Sequence, residues 1–306
     1  MKEGEIIKVD IEQVLRARCP GAMRFIPNGV VSRLKKLICQ DDLNRLLEEN
    51  VGLEGADFCR GVLASLGVKV NVCGAELLPD KNHRRVVLVS NHPLGGLDGM
   101  ALIDMVQRHF GGQVWFVVND LLMAIKPLES VFLPINKFGR QSREVSRKID
   151  EAFAGNDPIL IFPAGLVSRY RRATLAGRSV KMVCDLEWNK MFVTRSAQFK
   201  RDVVPLFFDG NNSLDFYKKA NLRKRLHIKF NLEQALLPRE MFRSRGKTFT
   251  ITVGQTHSHE LLPAGGREAR ECADAIRNEV YMLKPDFSLG KCSNGKSGET
   301  SLVGKN

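Results

Sequence analysis

No stretch of this chain is apolar for long enough to cross a bilayer; nothing approaches the roughly 18 residues that a spanning helix needs. The N-terminus, MKEGEIIKVD, lacks the apolar core of a secretory signal. Together these absences predict a cytoplasmic protein. The seven cysteines, Cys19, Cys39, Cys59, Cys73, Cys184, Cys272 and Cys292, form no CxxC pair and are odd in number. That argues against a disulfide framework and a zinc site, and suits a reducing compartment. Acidic residues are in deficit, 34 against 47 Lys and Arg, for a net charge of +13. Such a surplus suits nucleic acid, an anionic membrane surface or an acidic carrier, although much of any surplus is simply solvated surface. No zinc-finger, RRM-like or KH-like motif accompanies the charge, so nucleic acid is not expected. A Gly-x-Ser-x-Gly elbow is also missing, which weakens a serine hydrolase.

What the chain does have is 306 residues, 43% of them hydrophobic, enough for one large core. Its most informative stretch is VVLVSNHPLGGLDGMAL, Val86 to Leu102. The apolar run Val86 to Ser90 reads as a buried strand. Asn91, His92 and Pro93 follow, then Gly95 and Gly96, then a helical pattern with Asp98 near its N-cap. A histidine just after a strand and an aspartate at the mouth of the next helix lie where α/β folds place chemistry. The carboxylate can hold one ring nitrogen and leave the other as a base. A histidine beside an aspartate is also commonly a satisfied hydrogen-bonded pair, and this stretch alone does not separate the two.

The predicted fold class is α/β: a central, mostly parallel or mixed sheet flanked by helices, with a helical N-terminal extension over residues 1–67. Helices are expected at Ile11 to Arg18, around Val30 to Ile38, through Leu43 to Leu47 behind Asp41 or Asp42, and over Ala56 to Leu66. These basic, amphipathic helices fit a membrane-facing attachment, a lid, or ordinary packing. The main domain is placed at 68–283. Strands are expected at Val68 to Cys73, Val86 to Ser90, Val114 to Val118, Val131 to Asn136, Pro158 to Phe162, Leu226 to Leu232 and Phe249 to Val253. Val203 to Phe208 contains Pro205 and is expected to be short or irregular. Helices are expected at Ser142 to Ala154, Leu186 to Phe199, Ser213 to Arg223 and Gly266 to Met282, with Asn119 to Ile125 a short helix or turn. Residues 284–306 are polar and Gly/Ser-rich and are expected to be disordered. Asp185-Leu186-Glu187 reads as a helix start. His257-Ser258-His259 with Glu260 has the look of a metal cluster but no complementary ligands, so no metal is expected.

Four segments, in order, resemble the blocks of the lysophospholipid acyltransferase family within the glycerol-phosphate acyltransferase-like superfamily. Asn91, His92 and Asp98 match NHxxxxD, except that five residues rather than four separate His92 from Asp98. Phe132 to Lys137, with Arg140 behind, matches the second block. Phe162-Pro163-Ala164-Gly165-Leu166-Val167-Ser168-Arg169 matches the third, with Ala164 where the family carries glutamate. Val204-Pro205 matches the fourth. The likeness spans Val68 to Gln255. The Gly-Gly form of the first block and the Ala form of the third most resemble the bacterial hemolysin-like branch, which includes lyso-ornithine and lyso-glycine lipid O-acyltransferases.

The resemblance implies O-acyl transfer from an acyl carrier protein or coenzyme A thioester to the hydroxyl of a lysolipid, in membrane lipid biosynthesis. It implies His92 and Asp98 as the catalytic pair, and no cofactor. It assigns acceptor binding to Asn136, Lys137, Arg140, Phe162, Pro163, Gly165, Ser168 and Arg169. The missing glutamate makes a lyso-glycine or lyso-ornithine lipid the favoured acceptor over 1-acylglycerol-3-phosphate. The basic segments Arg169, Arg171, Arg172 and Lys218, Lys219, Arg223, Lys224, Arg225 suit an acidic carrier or an anionic bilayer, and place the protein peripherally on the inner membrane face. The competing readings are a hydrolase using the same pair and a non-catalytic membrane-binding protein.

Overall fold

The computed structural model describes residues 8–10, 12–13, 28–119, 123, 125–135, 143–175, 178–225 and 235–284. Within them the chain runs α1 (Asn28–Leu37), α2 (Gln40–Glu49), α3 (Gly55–Ser65), β1 (Lys69–Cys73), β2 (Val86–Ser90), α4 (Leu97–Phe110), β3 (Trp115–Asn119), β4 (Phe132–Ile135) and α5 (Arg143–Ala154). It continues through β5 (Ile159–Ile161), β6 (Arg169–Leu175), β7 (Arg178–Cys184), α6 (Met191–Phe199), β8 (Asp202–Asp209), α7 (Leu214–Arg225), α8 (Leu237–Phe242), β9 (Thr248–Val253) and α9 (Gly266–Met282).

Seven strands form one sheet in the order β1-β9-β8-β2-β5-β3-β4, with β6 and β7 a separate antiparallel pair. Every pairing in the large sheet is parallel except β8 with β9. All five residues of β2 are buried, because it has a strand on each side and helices over each face; central parallel strands are written as unbroken apolar runs for that reason. Val86 and Leu88 join the core beneath α3 and α4. Val87 and Val89 join the opposite core, beneath α5, α6 and α9. In α9, Ala269, Ala273, Ile276 and Val280 are buried, a single stripe at helical spacing. Of the N-terminal helices, α3 contributes Phe58, Cys59, Val62 and Leu63 directly to the first core.

Several expectations need correction. The segment around Pro205 is not short or irregular: β8 has eight residues and lies in the sheet interior. Its ladder with β2 is unbroken, Pro205 standing opposite Val89. A strand residue turns its N–H and C=O to the same side. At Pro205 that side faces the end of β9, where the carbonyl accepts from the Gly254 N–H at 2.8 Å and regular pairing begins only at Leu206. The missing donor therefore falls at a gap in the ladder. The helix expected from Leu186 begins only at Met191, and Asp185 starts no helix. The β6–β7 hairpin and α8 add to the elements expected from the sequence. Asp41 and Asp42 lie in the first turn of α2, whose N-cap is Cys39. Most of Ile11 to Arg18 and of Asn119 to Ile125, all of Leu226 to Leu232, and residues 285–306 lie outside the described residues.

The edge of the sheet formed by the starts of β2 and β8 is held by three arginines. Arg84 donates to the carbonyls of Phe110 and Gly111 at the end of α4. Arg85 donates to Ala154 at 2.9 Å and Phe199 at 2.6 Å, the ends of α5 and α6. Arg201, fully buried, donates to Ala152, Phe153, Gly155 and Asp157 carbonyls at 2.7–2.9 Å. Helix C-termini expose unpaired carbonyls and the negative end of the macrodipole, so cations there satisfy both. Burial, reinforced by the neighbouring Arg85 charge, pulls the Arg201 guanidinium down to about 10, which leaves it charged at neutral pH. An Arg201→Met variant leaves those carbonyls unsatisfied and is expected to lose about 2–4 kcal/mol of stability. Urea unfolding measures this directly.

Candidate active site

Three loops leave the opposite edge of the sheet, at the ends of β2, β5 and β8, and converge. His92 lies two residues beyond β2. Its Nδ1 is 3.0 Å from Asp98 Oδ2. Asp98 is the second residue of α4 and is fully buried. It does not act as a simple helix cap. Oδ2 also accepts from the Leu94 N–H at 2.8 Å and the Gly95 N–H at 3.4 Å, and Oδ1 accepts from the Gly99 N–H at 2.9 Å. Burial by itself pushes the carboxyl up. The His92 charge and the hydrogen bonds from His92, Leu94 and Gly99 outweigh it and hold the group below the ordinary carboxylate range. Its ionised form is therefore favoured by folding, and the stability it contributes is lost only as pH falls through that lowered value.

An ionised carboxylate can only accept, so Nδ1 carries the proton and Nε2 is left with its lone pair. The ring is 13% exposed and lies flat on Phe162, with centroids 4.0 Å apart and planes 19° apart. That face-on contact fixes the ring plane, and an aromatic face favours the imidazolium that forms when Nε2 gains a proton.

The five-residue spacing between His92 and Asp98 is absorbed at Gly95, whose φ of +102° is a backbone conformation that side chains disfavour. A Cβ there would lie 2.8 Å from the Leu237 side chain of α8. The N–H groups of Leu94, Gly95 and Gly99 are all turned inward to Asp98, so they are not directed at a substrate oxyanion.

The loop after β5 brings the third sequence block to the same place. Gly165 makes the turn at φ +61°, its N–H bonded to the Phe162 carbonyl at 2.9 Å. Pro163 is buried. The Ser168 N–H donates to the His92 carbonyl at 2.7 Å. The Ser168 hydroxyl is buried and given to Asp185. Arg169 is half-buried, bonds the Val167 carbonyl at 2.8 Å, and stands over the Phe216 ring. Phe162 and Ser168 thus touch His92 itself, Arg169 stands beside Phe216, and Asn136, Lys137 and Arg140 lie outside the described residues.

Asp185 is the residue that sequence reasoning missed. It is fully buried under the His92 loop. One oxygen accepts from the His92 N–H at 3.2 Å and the Ser168 hydroxyl, and the other accepts from Trp188 Nε1 at 2.9 Å. Its own N–H donates to the Tyr281 hydroxyl, and its carbonyl accepts from Arg277, both on α9. Burial raises its pKa despite the bonds from Ser168, Trp188 and His92. The carboxylate ties the backbone N–H of His92 to the hydroxyl of Ser168, as Asp98 holds the ring. Asn91 completes the frame: its amide exchanges two hydrogen bonds with the Phe208 backbone, at 2.9 and 2.7 Å, extending the β2–β8 pairing by a side chain. His257 and His259 go to different carboxylates, Glu279 and Asp202.

Such a histidine, held at one nitrogen and bare at the other, is built to take a proton. Residues 13–290 match the family model described as acyltransferase. This chain belongs to the acyltransferase family. The acyltransferase is 40% identical over 288 residues to a protein of Bacteroides thetaiotaomicron named lyso-glycine lipid O-acyltransferase, an alignment covering 92% of this chain and all of that protein. It is 41% identical to the protein of the same name from Phocaeicola vulgatus, covering 92% and 98%. The crystal structure of the 1-acyl-sn-glycerophosphate acyltransferase PlsC from Thermotoga maritima superposes with a TM-score of 0.42 at 16% identity, covering 74% of this chain and 82% of that one.

In this acyltransferase, Gly95→Ala is expected to cost about 1–3 kcal/mol of stability, from the backbone strain. It should also lower turnover at least tenfold, because the Leu94 and Gly95 N–H groups can no longer both reach Asp98. Thermal unfolding and initial rates on the same preparation check both effects.

Proposed function

We propose that this acyltransferase moves a fatty acyl group from a thioester to the hydroxyl of a lysolipid, with His92 as general base and Asp98 as the group that holds it. The observation that carries the reading is the 3.0 Å contact from His92 Nδ1 to a fully buried Asp98, which leaves Nε2 to meet the acceptor. A lipid hydroxyl is a poor nucleophile near neutral pH. His92 Nε2 removes its proton as the oxygen attacks the thioester carbonyl carbon. The tetrahedral intermediate collapses with cleavage of the C–S bond, and the departing thiolate takes the proton back from the imidazolium. The products are an ester and a free thiol, and the step as written consumes no cofactor. Asp98 stabilises the imidazolium and fixes the ring tautomer, as the acid of a hydrolytic triad does.

The donor in this reading is the thioester of acyl carrier protein or coenzyme A. The favoured acceptor is a lyso-glycine lipid, with lyso-ornithine lipid next. Support comes from the names of the two relatives and from Ala164, which packs against the apolar core where a phospholipid enzyme of this family would present glutamate. Asn136, Lys137 and Arg140, with Phe162, Pro163, Gly165, Ser168 and Arg169, form the acceptor side of the site; arginine can grip a headgroup carboxylate with two parallel bonds. Because such acceptors live in bilayers, the protein works peripherally, on the inner membrane face. No helix among the described residues is long and apolar enough to cross a membrane.

The test incubates purified protein with labelled acyl thioesters of both carriers and with lyso-glycine lipid, lyso-ornithine lipid and lysophosphatidic acid. A diacylated glycine lipid is expected, and His92→Ala should reduce its formation by about 10²- to 10⁴-fold. His92-dependent release of free fatty acid without acylated lipid would mean a hydrolase. Preference for lysophosphatidic acid would move the assignment to the glycerophosphate acceptor.

A further inference from the structure

The positive charge of this chain is unevenly placed. The stretch Arg169 to Cys184, which holds β6 and β7, contains five basic residues and no acid. The helix α7 contains Lys218, Lys219, Arg223, Lys224 and Arg225 against the single acid Asp215. These two elements adjoin. Val183 of β7 packs with Phe216 and Tyr217 of α7 in one small apolar cluster, and Arg169 stands over the Phe216 ring. They also border the site. Ser168, just before β6, bonds the His92 carbonyl. Asn212, just before α7, donates to the Pro93 carbonyl at 3.0 Å.

Two features of this face are unexplained by the fold. Arg172 and Lys181 stand directly opposite each other in the β6–β7 register, an arrangement of like charges that destabilises a strand pair unless an anion lies across it. On α7, Leu214 is 71% and Leu222 55% exposed. They flank the exposed Lys218 at i, i+4 and i+8, so all three share one side of the helix. Leucines in line with a lysine, about 12 Å from end to end, suit the boundary between acyl chains and headgroups. There the apolar side chain sinks, and the lysine extends to the phosphates. Tyr170, also exposed and carrying Lys181 Nζ 5.2 Å from its ring centroid, adds an amphipathic aromatic to the same hairpin.

We propose that the β6–β7 hairpin and α7 together form the surface by which this protein docks on an anionic bilayer, with Leu214 and Leu222 entering the interface and Arg172, Lys181, Lys218 and Arg225 facing the headgroups. The assignment rests on the lysolipid reading only for its purpose: docking by this face sets the mouth of the His92 site against the membrane that holds the acceptor. An acidic protein surface would be drawn by the charge but gives the two exposed leucines of one helix side no continuous apolar medium to enter.

The experiment measures co-sedimentation of the full chain with vesicles of phosphatidylcholine alone and of phosphatidylcholine mixed with phosphatidylglycerol. Two variants are compared with the native protein: Leu214→Ser with Leu222→Ser, and Arg172→Gln with Lys218→Gln and Arg225→Gln. Acyl transfer is read separately on detergent-dispersed lysolipid. The native protein should bind the anionic vesicles at least tenfold more tightly than the neutral ones. Each variant should lose at least tenfold of that affinity while melting normally and acylating dispersed lysolipid at the native rate. Native binding that neither variant weakens would overturn the proposal, as would no binding at all. So would variants that keep vesicle affinity but show a raised KM for the acyl carrier protein thioester, which would make the face a carrier site. Vesicle binding that depends on this face in a protein without acyl transfer would instead leave the docking surface standing and remove the proposed reaction.

Discussion

One buried negative charge organises the catalytic end of this molecule. Asp98 has no exposure, and a carboxylate in that position is tolerable only if its oxygens are saturated with donors. The donors are the His92 ring and the backbone of Leu94, Gly95 and Gly99. Satisfying the charge therefore dictates the path of the chain from β2 into α4 and the orientation of the imidazole. Gly95 is the residue that permits the path, because its backbone takes a conformation open to glycine and its missing Cβ makes room for Leu237. The same contacts that make the aspartate bearable leave Nε2 as the unoccupied base.

Asp185 does for the loop what Asp98 does for the ring. Two buried carboxylates lie on either side of His92, and their environments push them apart: one is held low by its donors and the other is raised by burial. Separation of that kind is a common mark of a working site. At the far edge of the sheet the polarity is reversed. There Arg84, Arg85 and Arg201 meet the carbonyl ends of three helices. A right-handed β-α-β path delivers helix C-termini to the starts of strands and helix N-termini to their ends, so the fold itself sorts cations to one edge and Asp98 to the other.

The parts of this architecture written in short-range pattern were legible in the sequence. The run Val86 to Ser90, the six-residue step from His92 to Asp98 and the amphipathic repeat of α9 each declare themselves within one element. What was not legible depends on distance. Asp185 meets His92 across 93 positions, and a lone Asp-Leu-Glu has no local feature to distinguish a buried anchor from a helix start. Arg84 and Arg85 lie in a short polar loop before β2 and Arg201 just before β8, and their partners are carbonyls, which no side-chain pattern reveals. The hairpin from Arg169 to Cys184 is basic rather than alternating, so its charge was noticed and its strands were not. Pro205 misled for a physical reason: the rule that keeps proline out of sheet interiors assumes a paired strand on the side its missing donor would face, and here β9 ends at that position.

Catalysis at this site depends on Asp98 holding His92 with its proton on Nδ1 and its lone pair on Nε2. Nitrogen NMR of the 15N-labelled histidine rings, with the His92 signal assigned by substitution, reads this directly. For the neutral ring the account predicts a protonated Nδ1 and a bare Nε2, and loss of that preference in Asp98→Asn. A neutral His92 protonated on Nε2 in the native protein would contradict it.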